Sequence, residues 1–137
     1  MKYVFDSSFI GAMIIPDEWN PGVDEIRAGI GENEEIFIPQ LLWYEISNIF
    51  RNLILRRRFT SDEVIRLFPN LSAIRLTCDH ETGAGYSREL LRLCSEYNLS
   101  SYDAAYLELA KRRDAVLCTL DENLRAAAKK YGVTVIK

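Results

Sequence analysis

Short apolar runs alternate along this chain with longer segments whose apolar residues recur at helical spacing. The first run, Tyr3-Val4-Phe5, is three β-formers closed by a charged residue, Asp6. Ser7 and Ser8 then open a second apolar segment, Phe9 to Ile15, so the pattern predicts a strand running into a short helix near Ser8–Ile15. Pro16-Asp17-Glu18 predicts a loop. Trp19, Val23, Ile26 and Ile30 recur at i, i+4, i+7 and i+11, an amphipathic helix that Gly29 and Gly31 end. Ile36-Phe37-Ile38 predicts a second strand, stopped by Pro39. The longest helix follows, about Gln40 to Arg57, with Leu42, Ile46, Ile49 and Leu53 on one arc. Thr60 or Ser61 caps a shorter helix that Pro69-Asn70 breaks. Ile74–Thr77 reads as a third strand, and a turn-rich stretch from Asp79 to Gly85 leads into a helix carrying Tyr86, Leu90, Leu93 and Tyr97. Asn98–Ser101 interrupts it. The next helix, about Tyr102 to Arg113, places Tyr102, Ala105, Tyr106 and Leu109 on one face. Ala115–Thr119 is an almost continuous apolar strand, as expected when both faces are covered. A helix with Leu124, Ala127, Ala128 and Tyr131, capped by Gly132, leads to a fifth strand, Val133–Ile136.

Strands that alternate with helices imply an α/β fold, in which a mainly parallel sheet of four to five strands is covered on both faces through right-handed crossovers. The chain has 137 residues and carries no internal repeat or linker, so residues 1–137 are expected to form one domain. No apolar run reaches the ~20 residues of a spanning helix, and the N-terminus reads as a strand rather than a leader. These features predict a cytoplasmic protein without a membrane partner.

The three cysteines, Cys78, Cys94 and Cys118, form no CxxC pair, which argues against both a zinc site and a disulfide framework. His80 is the only histidine, and no nucleophile motif accompanies it, so a loop position in solvent is expected. The net charge of −3 argues against a protein that grips nucleic acid by overall positive charge. Local basic clusters remain: Arg56-Arg57-Arg58, Lys111-Arg112-Arg113 and Lys129-Lys130. Each lies near a predicted helix C-terminus, where cations meet the helix dipole favourably. Phosphate contact is the alternative use.

Four acids stand out. Asp6 and Asp121 each follow an apolar strand directly, which puts both at one edge of a parallel sheet. Asp103 opens the helix that leads into the strand before Asp121, and helices in such a sheet start at the edge where strands finish. Glu45 lies beside the core arc of the longest helix, with Asn48 and Asn52 on the same flank, and can point along a cleft rim. Each acid also has a plain explanation. Asp6 and Asp121 can be N-caps, Ser100-x-x-Asp103 resembles a capping box, and Glu45 can be a solvated helix acid. Convergence has a cost: two like charges ~4 Å apart at an effective dielectric of about 20 repel by roughly 4 kcal/mol. Four carboxylates together need a cation or protons. All-oxygen ligands without His or Cys suit Mg²⁺ or Mn²⁺. Such an ion can activate water and neutralise a phosphoryl group.

Val4-Phe5-Asp6-Ser7-Ser8, Trp43-Tyr44-Glu45-Ile46-Ser47-Asn48, Tyr102-Asp103-Ala104-Ala105 and Leu117-Cys118-Thr119-Leu120-Asp121-Glu122-Asn123-Leu124 together resemble the PIN-domain ribonucleases, and among them the VapC-type toxins of toxin–antitoxin pairs. The resemblance spans the whole chain in motif order. It implies the family's three-layer α/β/α sandwich and a Mg²⁺-dependent endoribonuclease, with Mn²⁺ as substitute. It implies Asp6, Glu45, Asp103 and Asp121 as metal-binding catalytic acids, supported through hydroxyls by Ser8 and Thr119. Asn48 would orient Glu45 or contact RNA, and Asn123 lies near Asp121 without a clear role. Arg56, Arg57, Arg58, Lys111, Arg112 and Arg113 become candidate RNA contacts. A homodimer and a small antitoxin that enters the acidic cleft are implied partners. Hydrolysis would leave a 5′-phosphate and a 3′-hydroxyl.

Rival readings are a phosphotransfer fold in which Asp6 is phosphorylated, a housekeeping nuclease and a binding module. A phosphatase with Asp6 as nucleophile would place a second acid where Ser8 stands, and a receiver domain would need a lysine that Ala115–Asp121 does not supply. A housekeeping RNA-processing nuclease shares all the chemistry above. A binding module would keep the fold without turnover, for which an intact acid quartet is unnecessary.

Overall fold

The computed structural model describes residues 1–136. Strand β1 (Lys2–Phe5) runs into helix α1 (Ser7–Ile14), and a 3₁₀ turn at Pro16–Glu18 leads to α2 (Pro21–Gly29). Then follow β2 (Glu35–Pro39), α3 (Leu41–Leu55), α4 (Ser61–Ile65), α5 (Phe68–Ser72) and β3 (Leu76–Asp79). The chain finishes with α6 (Ala84–Tyr97), α7 (Ser101–Arg113), β4 (Val116–Cys118), α8 (Glu122–Tyr131) and β5 (Val135–Ile136). The five strands form one sheet in the order β3-β2-β1-β4-β5, and every pairing is parallel. The expected three-layer α/β/α arrangement with a parallel sheet is what forms.

This strand order contains a reversal. From β1 the chain steps outward through β2 to β3; after α7 it returns to the other side of β1 and steps outward again from β4 to β5. Right-handed crossovers then place α1 to α5 on one face and α6 to α8 on the other. The packing agrees, since α1 touches α2, α3 and α5, while α7 touches α6 and α8. The switch falls between β1 and β4, and the crevice outside the strand ends at such a point is where open α/β sheets bind ligands.

The core forms where both faces of the sheet are covered. Val4, Phe5, Ile38, Leu117 and Cys118 have essentially no solvent exposure. Helix α7 is buried continuously from Ala104 to Ala110, because it lies across β1 and β2 and under its neighbours α6 and α8. Its C-terminus turns through Asp114 in the left-handed region, and Gly132 (φ +82°) does the same for α8.

Some elements differ from the sequence pattern. Trp19 does not join the helical face: Asn20 caps α2 with its side chain, Pro21 takes the first turn, and Trp19 stays 64% exposed. Pro69 starts α5 rather than ending the segment, since the first turn of a helix tolerates a residue without N–H. The third strand sits two residues later than Ile74–Thr77. Ile74 donates its N–H back to Leu71 at 3.2 Å, so the end of α5 uses it, and the ladder runs from Ile36↔Leu76 to Pro39↔Asp79. Tyr102 points out of the core, at 62% exposure, because it stands in the first turn of α7 beyond the sheet edge.

Candidate active site

Asp6 is the first residue past β1 and the N-cap of α1. Its Oδ1 accepts from Phe9 N–H (2.9 Å) and from the Ser8 hydroxyl (2.7 Å). Its Oδ2 accepts from the Thr119 hydroxyl. The two hydroxyls also tie Asp6 to the loop after β4, because Ser8 Oγ accepts from Leu120 N–H (3.0 Å) and Thr119 Oγ1 from Asp121 N–H (3.0 Å). Asp121 in turn caps α8 through Leu124 N–H (2.9 Å). The capping role and the site position therefore coincide in both aspartates. A carboxylate at a strand end that starts a helix is held by that helix's free N–H groups.

Glu45 approaches from α3. Its Oε1 accepts from the Tyr106 hydroxyl at 2.5 Å, a bond that joins the helix layers of the two sheet faces across the strand ends. Asp103 lies one turn before Tyr106 on α7. Ser100 caps that helix through Asp103 N–H (3.2 Å), but the reciprocal half of a capping box, which Thr60 and Glu63 do form, is missing here. The Asp103 carboxylate is thus not spent on its own helix start.

The electrostatics reflect this gathering. Burial pushes the Asp6 carboxyl above its ordinary range, even though Thr119, Ser8 and Phe9 donate to it, and the charge of Asp121 adds to the rise. Glu45 is raised chiefly by burial and further by Asp103 and Asp6, while Tyr106 and Ser7 work in the opposite direction. Asp103 is raised by burial and then by Asp121 and Asp6. Asp6, Glu45 and Asp103 therefore act on one another, and Asp121 acts on Asp6 and Asp103. Among the described residues, however, no three His, Cys, Asp or Glu side chains sit together closely enough to form a ready-made metal-binding group. Asp6 and Asp121 are held on their own helix starts and Glu45 by the Tyr106 hydroxyl, while the Asp103 carboxylate accepts no hydrogen bond among the described residues.

Two further residues build the site without showing as candidates in the sequence. Tyr106 was legible only as a core aromatic. The available signal was that a tyrosine buried to 1% exposure must find a partner for its hydroxyl. Arg125 is buried on α8, where it donates to the Thr119 carbonyl (2.9 Å) and to Glu122 (2.8 Å), while its Nε has no partner among the described residues. A charged residue inside the apolar stripe Leu124-Ala127-Ala128 was the clue.

The remaining candidates are spread out. The carboxamide of Asn48 lines a groove beside Glu45 and makes no hydrogen bond to it. Asn123 is exposed and lines a separate cavity with Tyr97 and Asn98. Arg58 pairs with Asp17 and Glu18. Arg112 holds Asp79 (2.7 Å) and Glu108 (2.8 Å), Arg113 reaches Asp79 (3.2 Å), and Lys111 donates to the Tyr131 carbonyl (3.1 Å). Arg56 and Arg57 are exposed and have no ion pair among the described residues. His80 is exposed and bonds Gln40 (2.9 Å).

A parallel sheet with one buried and three half-buried carboxylates at its switch point defines a class of α/β proteins built around an acidic cleft. The chain belongs to the PIN domain family, whose model matches residues 3–130. Ribonuclease VapC3 of Pyrobaculum aerophilum is 26% identical over 135 residues, covering 98% of each chain. Among solved structures, VapBC2 from Rickettsia felis, bound to a DNA fragment from their promoter, matches with a TM-score of 0.70 at 12% identity, over 99% of this chain and 98% of that one. A toxin–antitoxin complex from Klebsiella pneumoniae matches with a TM-score of 0.64 at 15% identity, over 98% and 96%.

Proposed function

We propose that this protein is a Mg²⁺- or Mn²⁺-dependent endoribonuclease and the toxin of a type II toxin–antitoxin pair. One observation carries the reading: at the sheet's switch point Thr119 ties Asp6 to Asp121, and Tyr106, one turn past Asp103 on α7, brings in Glu45 from α3, so that burial and mutual repulsion push Asp6, Glu45 and Asp103 toward protonation. A fold that accepts this repulsion gains by placing a cation there. The similarity to a protein named Ribonuclease VapC3 supports ribonucleolysis, and the likeness to a toxin–antitoxin complex supports a small antitoxin as partner.

The donor set fits a hard divalent cation, since it is all carboxylate oxygen without His or Cys. Asp6, Glu45, Asp103 and Asp121 would hold it. When bound, such an ion supplies positive charge against the phosphodiester and lowers the pKa of water. The chain's own residues do the rest. Ser8, Phe9 N–H and Thr119 fix Asp6 in one orientation. Tyr106 fixes Glu45 through Oε1, which leaves Oε2 free to take up a proton from the attacking water. In-line attack at phosphorus leaves a 5′-phosphate and a 3′-hydroxyl. Arg56 and Arg57 are the best-placed phosphate contacts outside the cleft, because Arg58, Lys111, Arg112 and Arg113 already have partners within the chain. No helix of the described residues is long and apolar enough to cross a membrane. The proposal includes a cytoplasmic location and a homodimer of single-domain chains, as the resemblance to VapC-type toxins implies.

The test is cleavage of structured and single-stranded RNAs with Mg²⁺ or Mn²⁺, alongside EDTA and Asp6→Asn controls. Metal-dependent cuts with 5′-phosphate ends, lost in both controls, are expected. Cutting that survives both controls would rule out this site. Toxicity on expression, relieved by Asp6→Asn and by a co-expressed neighbouring small open reading frame, separates a toxin from a housekeeping nuclease.

A further inference from the structure

A groove of about 540 Å³ opens beside the acids on the Glu45 side. Ser7 and Glu45 form its end nearest Asp6, and Ile49 lies between the polar positions of α3. Tyr44 and Tyr102 line it while remaining 76% and 62% exposed. Such aromatic faces in water are not part of the core. Asn48 and Asn52 also line it, four residues apart and so on one face of α3. Neither carboxamide hydrogen-bonds to any described residue, so each presents a donor and an acceptor to the groove.

The charge pattern selects the occupant. No lysine or arginine lines the groove, and Glu45 closes one end of it. A phosphate would be repelled there. A flat, uncharged group with a hydrogen-bonding edge is accepted, because its faces stack on the tyrosines and its edge meets the two amides. We propose that this groove is a nucleobase pocket, which takes one unpaired base of the RNA beside the scissile phosphate, stacked against Tyr44 and Tyr102 and read on its edge by Asn48 and Asn52. The proposal rests on the reading of the acid cleft as a ribonuclease centre. A base within a duplex has its faces and edge already engaged, so the pocket requires single-stranded or everted nucleotides. The backbone beyond this base would continue along α3 toward Arg56, one turn past Asn52.

Binding and cleavage test this separately. For binding, Asp6→Asn protein without cleavage activity is titrated with a short single-stranded RNA of mixed sequence and with copies carrying one abasic position, moved along the strand. In that background Tyr102→Ala is expected to weaken binding about tenfold, as loss of one base stack does, with the salt dependence unchanged. Asn52→Ala, also at an exposed position, is expected to weaken it less and to flatten base preference at one position. The abasic position that weakens binding to the Asp6→Asn protein should cost nothing further once Tyr102 is removed. Unchanged binding in both variants overturns the pocket, as does an abasic penalty that persists without Tyr102 or a shallower salt slope, which would mean a lost phosphate contact. Intact RNA binding with weakened association of a partner protein makes the groove a protein-docking face and overturns it too. If the abasic coupling holds but wild-type protein cuts no RNA with Mg²⁺, the pocket stands and the nuclease reading falls. Cutting without coupling has the opposite meaning.

Discussion

The Thr119 hydroxyl donates to Asp6 Oδ2 across 113 positions of sequence and accepts from the Asp121 N–H at 3.0 Å. One buried side chain thereby sets the position of two acids, one on each side of the switch point between β1 and β4. Ser8 makes a second, parallel link by donating to Asp6 and accepting from Leu120 N–H.

Thr119→Ala should therefore act on both acids at once. It leaves the Asp121 N–H and an Asp6 oxygen short of a partner in a site with no solvent exposure at Thr119, a loss of about 1–3 kcal/mol in stability. RNA cleavage is expected to fall about 10–100-fold, the usual cost of removing a group that orients a metal ligand. Thr119→Ser keeps the hydroxyl and should recover most of the activity. Urea denaturation and single-turnover cleavage measure the two effects, and equal activity of the Ala and Ser variants would show that the hydroxyl does not matter.

Tyr106→Phe removes the bond that holds Glu45 down. Since that bond lowers the Glu45 pKa against burial, its loss should raise the pKa further and move the acidic limb of the pH–rate profile to higher pH. Carbon-detected NMR titration of the Glu45 carboxyl checks the direction independently of activity. An unchanged titration would mean that Tyr106 only packs.

Asp103→Asn should stabilise the cation-free protein at neutral pH. Burial raises the Asp103 pKa in the folded state, so its contribution to stability is fully present below the unfolded pKa and is lost as pH rises through the folded one. The neutral amide escapes that loss, and neighbouring Asp6 and Glu45 are relieved of one charge. We expect a higher Tm than wild type at pH 7 in EDTA, a gap that closes as pH falls below the carboxylate range, and a smaller rise in Tm on adding Mg²⁺. Differential scanning calorimetry with and without the ion decides it; a lower Tm at pH 7 would contradict the repulsion described above.

Asp79 is the contrasting acid. The guanidinium of Arg112, helped by Arg113, holds it down at about 2. Its contribution to stability is present above the unfolded carboxylate pKa and is lost as pH falls through about 2. Asp79→Asn breaks this partly buried pair while Glu108 keeps hold of Arg112, so a loss of about 2 kcal/mol at neutral pH is expected, below the roughly 3–5 kcal/mol of a fully buried pair left with an uncompensated charge. The difference from wild type should shrink on acidification. Because Asp79 holds Arg112 and Arg113 at the C-terminal end of α7 and bonds to none of the four acids, RNA cleavage by the folded variant should remain within about twofold of wild type, and a larger loss would place it in the site.

The order and type of the elements were written in the sequence, because apolar periodicity reports which faces must leave water. Continuous β-branched and apolar runs such as Ala115–Cys118 announced strands covered on both sides. Asp6 and Asp121 were legible as strand-end acids for the same reason. The sequence did not carry the strand order, since no local pattern says whether β4 joins β1 or β3. Tertiary structure alone put β4 beside β1, and with it Thr119 against Asp6. It likewise decided that Tyr106 meets Glu45, that Arg125 holds the Thr119 carbonyl, and that Arg112 and Arg113 bind Asp79 rather than standing free. Those pairings depend on which long-range contacts satisfy a buried hydroxyl or charge, and the chain meets that condition only once its layers are packed.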